Sequence, residues 1–199
     1  NLERIVKNPS ERKLIARSGA LKHQAGIDLI QLSVAVGIIA FILAVGFLVV
    51  PTVMTNIKVN SETSDIQQAV SNALRVFGSG ANSSGLDTSA AINLKLSPPD
   101  RIGSDGKTIL NRFGGTVDWS PVNLFGTNDN KDGIEITSAG YSSDACAKLI
   151  PNVQALFTKI TIGTDAVKDM TKGQALDVLK LGKLCQGGGT VTINFKFTK

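Results

Sequence analysis

Few side chains in this sequence are of a kind that does chemistry, and their spacing restricts what that chemistry could be. Two cysteines, Cys146 and Cys185, lie in the C-terminal third, without a further cysteine or a nearby histidine to complete a zinc site. They read as a disulfide, or else as two buried free thiols. The single histidine, His23, sits in a basic N-terminal segment, far along the chain from any nucleophile it could serve as a base. The run Asn128-Asp129-Asn130-Lys131-Asp132-Gly133 has the outline of a calcium loop, but the place of its bidentate glutamate falls on Ala139, so a polar turn is expected there. Asp105-Gly106 is likewise a turn signal. No catalytic set, metal cluster or cofactor motif is legible, and the expectation is a protein that is not an enzyme and needs no cofactor.

The elements that carry these residues are clearer than the residues themselves. The net charge of +5 suggests nucleic acid until it is located: Arg4, Lys7, Arg12, Lys13, Arg17 and Lys22 outweigh Glu3 and Glu11 at the N-terminus, and the rest is nearly neutral. With few aromatic residues for base stacking, this reads as the basic flank of a membrane segment and not as a nucleic-acid groove. Residues 29–57 contain no charged side chain, and 32–50 are apolar apart from Ser33. That is the length of about 19–20 residues a helix needs to cross the hydrocarbon core of a bilayer. It follows too long a basic segment to be an ordinary secretory signal. A membrane segment ahead of the cysteines implies an oxidising compartment, where a disulfide persists.

After Pro51 the apolar residues Ile66, Val70, Ala73, Leu74 and Phe77 recur at three and four, with Lys58, Glu62, Asp65 and Arg75 between them. The apolar helix is therefore expected to continue as an amphipathic one over 27–77, with a bend at Pro51. Gly78-Ser79-Gly80 and Asn82-Ser83-Ser84-Gly85 should end it; the latter also fits a glycosylation sequon. Alternation at 92–96, at 134–136 and over 191–197 predicts strands. Residues 143–157, with Pro151 inside, and 172–183, opened by Thr171 and Gln174 as a capping box, predict helices. With 42% hydrophobic and 19% charged residues the chain can pack a core. The expected fold class is α+β, an antiparallel sheet with helices to one side.

At Gly26-Ile27-Asp28-Leu29-Ile30-Gln31-Leu32, followed by the apolar run, the chain resembles a type IV pilin. The resemblance implies that a prepilin peptidase cuts after Gly26 and methylates the new amine at Ile27, and that the apolar helices then bundle as a filament core. The family carries a glutamate five residues after the glycine, where this chain has Gln31, which cannot neutralise an ammonium group. Either Gly26 is cut and Asp28 helps set subunit register, or Gly26 is not cut and the missing carboxylate fits the absence of a free amine. Asn8-Pro9-Ser10-Glu11 reads as a helix start within the preceding segment, which is either a long leader peptide or a retained extension.

Cys146-Ala147-Lys148-Leu149-Ile150 on a predicted helix and Leu184-Cys185-Gln186-Gly187 before a last strand resemble the type IVb subclass, the toxin-coregulated and conjugative thin-pilus pilins. The implied organisation is a basic leader or extension at 1–26, a long helix at 27–77 and a head at 78–199. A closed loop between the cysteines would stabilise the head, with 161–169 as a subunit-contact, receptor-facing or plain connecting loop. Gly37 and Gly46 either permit close helix approach or loosen the rod.

The function expected is a major type IVb pilin, held in the bacterial inner membrane and then polymerised with its own copies into an extracellular fimbrium. Its partners would be other subunits, the prepilin peptidase, the assembly machinery, and a cell-surface receptor or other pili. The alternatives are a minor pilin or type II secretion pseudopilin, and a membrane-tethered monomeric binding domain.

Overall fold

A computed structural model describes residues 25–126 and 131–199. The helix expected from Asn8, together with His23 and Asp129, lies outside the described residues. The chain divides into two compact units, Asn1–Thr52 and Val53–Lys199. Helix α1 (Ala25–Phe77) contributes to both, and Pro51 lies inside it.

In the first unit α1 carries the apolar run. The large side chains described between Leu29 and Val50 are exposed, Phe47 to 79%. A surface of this kind is stable in lipid or against other protein, not in water.

In the second unit the remainder of α1 is one-sided. Val59, Glu62, Ile66, Ala69, Val70, Ala73 and Phe77 are buried at helical spacing. Leu74, read from the sequence as part of that stripe, is exposed. Helix α1 ends at Gly78, whose N–H bonds to the Leu74 carbonyl oxygen at 2.7 Å. Helix α2 (Thr88–Asn93) follows, its N-cap Asp87 accepting a hydrogen bond from the Ala90 N–H. The strand predicted at 92–96 is therefore not formed: Ile92 and Asn93 close α2, and Lys95 turns the chain with a φ of 54°. The short Asp87 side chain captures the backbone locally, and that won over an alternation only five residues long.

The rest is a five-stranded antiparallel sheet of strands β1 (Val117–Val122), β2 (Gly133–Tyr141), β3 (Lys159–Ile162), β4 (Asp165–Asp169) and β5 (Val191–Thr198), in the order β1-β2-β5-β3-β4. Register aligns Trp119 with Ile136, Ile136 with Phe195 and Phe195 with Ile160, so one apolar row crosses four strands. All four are buried. Pro121 sits on the edge strand β1, where a missing donor is tolerated. Before β1, Gly115 passes so close to β2 that a Cβ there would lie 1.8 Å from the Ala139 carbonyl oxygen.

Residues 161–169, expected as a loop, instead form most of the β3–β4 hairpin. Thr161, Ile162, Val167 and Asp169 are buried in it. Helix α3 (Ser143–Val153) is capped by Ser142, contains Pro151, and passes into a 3-10 turn at Gln154–Leu156. The second predicted helix begins later than expected. Met170–Lys172 is a 3-10 turn ended by Gly173 at a φ of 69°, and helix α4 (Val178–Cys185) starts after Asp177, which accepts from the N–H groups of Leu179 and Lys180. Asp177 supplies the stronger cap, so Thr171 and Gln174 do not form the box. Cys146 of α3 and Cys185 of α4 are joined by a disulfide.

Candidate functional site

Two parts of the chain bear on function, and each belongs to one unit. The first is the apolar run of α1. Leu29, Ile30, Leu32, Val34, Val36, Ile38, Phe41 and Phe47 are all exposed, and they are distributed around the helix instead of forming one stripe. Fully burying such side chains would contribute roughly 1.5–3 kcal/mol each, on the order of 20 kcal/mol per copy for the run. Gly37 and Gly46 have open space where a Cβ would stand, so nothing within this copy requires a glycine at either position.

Gly26, Ile27 and Asp28 lie in the first turns of α1, and Gln31 is exposed one turn on from Asp28. Ser33, the polar exception in the run, donates its hydroxyl to the Ile30 carbonyl oxygen at 2.9 Å. This is the usual way a hydroxyl is satisfied in a helix facing lipid.

The second part fastens α1 to the head beyond the apolar run. Glu62 lies in phase with the apolar stripe and is only 3% exposed. Its carboxylate accepts the Arg112 backbone N–H at 2.8 Å and the Tyr141 hydroxyl at 2.7 Å. The Tyr141 oxygen also pairs with the Ser138 hydroxyl at 2.8 Å, and Asn111 donates to Ser138 and to the Ala139 carbonyl oxygen at 3.0 and 2.6 Å. Asn111 Oδ1 in turn accepts from the N–H groups of Phe113 and Gly115. One turn along α1, Asp65 receives a bidentate pair from Arg112, whose Nη2 also meets Asp100 at 3.1 Å.

Burial pushes the Glu62 carboxyl above its ordinary range, although the Arg112 N–H and the Tyr141 hydroxyl oppose that push. Burial and the neighbouring Glu62 charge likewise raise the Tyr141 phenol well above its usual value, so it stays a donor. The sequence reading placed Glu62 among the solvated charges between apolar positions; the structure places it inside. Tyr141, the only tyrosine of the chain, and Asn111 carry no local signal of their roles, because Tyr141 meets Glu62 across a sequence separation of 79 and Asn111 meets Ser138 across one of 27.

Asp132 closes the turn after β1. Its two carboxylate oxygens accept the N–H groups of Leu124 and Phe125 at 2.6 and 2.8 Å. Asp105 does the same for the turn at Gly106, taking the N–H groups of Lys107 and Thr108. Among the described residues no group of acidic, histidine and cysteine side chains could hold a metal ion.

Residues 56–198 match the model of a protein family described as PilS N terminal. The chain belongs to the PilS N-terminal family. This is a family of type IV pilin-like proteins, and the expected resemblance to type IV pilins is borne out at that level. The pilin fold is also seen in the crystal structure of TcpA, a type IV pilin from Vibrio cholerae El Tor biotype. The two agree at a TM-score of 0.50 and 15% identity, covering 69% of this chain and 99% of TcpA. The expected α+β pilin architecture, with its long apolar helix, antiparallel sheet, flanking helices and disulfide, is the one found. No curated protein matches the chain in sequence.

Proposed function

We propose that this pilin is the major structural subunit of a type IVb pilus, anchored in the bacterial inner membrane through α1 and then stacked with identical copies into an extracellular filament. The observation that carries the reading is the apolar run of α1, exposed from Leu29 to Val50. Outside lipid it would leave about 25 cal/mol per Å² unrecovered. Identical helices are the partner that every subunit brings with it. Gly37 and Gly46 then have a reason to be glycine, since they let a neighbouring helix approach closely. The exchange of lipid for protein neighbours lets one segment serve first as anchor and then as filament core.

The Gly26–Ile27 bond is proposed as the site of prepilin peptidase cleavage, with Asp28 and Gln31 setting register between neighbours. N-terminal sequencing of the chain from isolated fibres tests this: a start at Ile27 is expected, and a start upstream contradicts it. Abundance tests the major role. A purified filament composed almost wholly of this chain is expected, whereas a trace component would place it among minor pilins or pseudopilins. The head would form the outer surface that meets receptors or other pili.

A further inference from the structure

Trp119, the only tryptophan in the chain, is 3% exposed, yet its indole N–H has no acceptor in the protein. Arg101 presents a second buried donor without one, its Nε–H. A buried donor left unmet is costly, and each of the two calls for an acceptor. Both residues line the same cavity, of about 40 Å³, between α1 and the sheet, together with Glu62, Asp65 and Ser97.

The walls decide what the acceptor can be. Glu62 and Asp65 bring two carboxylates, which disfavours an anion, and a cation would leave both N–H groups unsatisfied. The occupant must accept from the two donors and donate to a carboxylate. Arg101 Nε stands 4.0 Å from the nearer Asp65 oxygen, too far for a direct hydrogen bond and suited to a bridge. The volume admits about one to three water molecules, and a water needs two to four polar partners, which this site offers.

We propose that the cavity is a hydration site, in which ordered water accepts from the Trp119 indole and from Arg101 Nε and donates to Asp65. The joint between α1 and the head is then completed by solvent: direct bonds from Arg112 and Tyr141 on one side, water-mediated bonds from Trp119 and Arg101 on the other.

Because there is a single tryptophan, the full chain in detergent micelles with ¹⁵N-labelled tryptophan gives one indole signal to follow. The expected result is a cross-peak between the Trp119 N–H and water, with the sign of a water bound longer than the molecule takes to tumble. In Ala69→Val, which adds carbon to the cavity wall, the cross-peak should vanish and the indole resonance shift. Should that variant fail to fold, Val117→Ile fills the same space more gently and should weaken the cross-peak. An indole without a water cross-peak in the unmodified chain overturns the proposal, and so does a cross-peak that both folded variants leave unchanged.

Discussion

At the scale of single residues, Glu62 shows how a side chain can be read correctly in type and wrongly in place. Its two donors make it a satisfied buried acceptor, so taking one away should be costly. Tyr141→Phe is expected to lower stability by about 1.5–3 kcal/mol, the range for a hydrogen bond to a charged group, in denaturant unfolding of the chain. The pH dependence should have two limbs of opposite sign. The folded pKa of Glu62 lies above its ordinary value of 4.5, so the native state takes up its proton first and gains stability as pH falls through that window. Asp169 behaves in the reverse way: burial pushes its carboxyl up, but the Lys159 ammonium and the Thr171 hydroxyl hold it below the ordinary 3.8. Asp132 is held low similarly, against burial, by the N–H groups of Leu124 and Phe125. Their contribution is present above 3.8 and is lost as pH falls through the folded values. Thermal melts from neutral pH downward should therefore show a slight rise before an acid fall. Glu62→Gln should remove the rise, and Asp169→Asn should soften the fall. The burial of Glu62 was legible in one respect, since it sits three after Val59 and four before Ile66, in phase with the stripe. Charge alone argued for solvent, and only a partner as remote as Tyr141 reverses that argument.

Elements were legible where one period persisted. The long apolar helix, the strand β5 with Ile193, Phe195 and Phe197 all inward, and the helix α3 opened by Ser142 follow from patterns held over many residues. The errors cluster where the pattern was short. At 92–96 the alternation is outcompeted by Asp87 as a cap, and at 161–169, expected as a loop, the chain forms a hairpin of two short strands. Placing that hairpin beside β5 depends on pairing with residues about thirty positions later, which no local signal contains. The disulfide belongs to this scale, since it ties α3 to α4 across a sequence separation of 39. Replacing Cys146 and Cys185 together by alanine should cost ~3–4 kcal/mol in the loop-closure picture. Reducing agent should lower the melting temperature of the unmodified chain and leave the double variant unaffected.

For the whole molecule, what matters is the contrast between its two units. Val53–Lys199 buries a continuous core, whereas the apolar run in Asn1–Thr52 is exposed. The apolar character of that run was plain from the absence of charge over 29–57. Which neighbours cover it outside lipid is a property of many chains and is written in no single one, so polymerisation enters as a proposal. It can be tested directly by removing detergent from the purified full chain and following it by sedimentation and electron microscopy. Regular filaments that pellet, with the 29–50 segment protected from protease, are the predicted result. Dispersed single molecules that keep this segment intact and stay in solution would contradict the account.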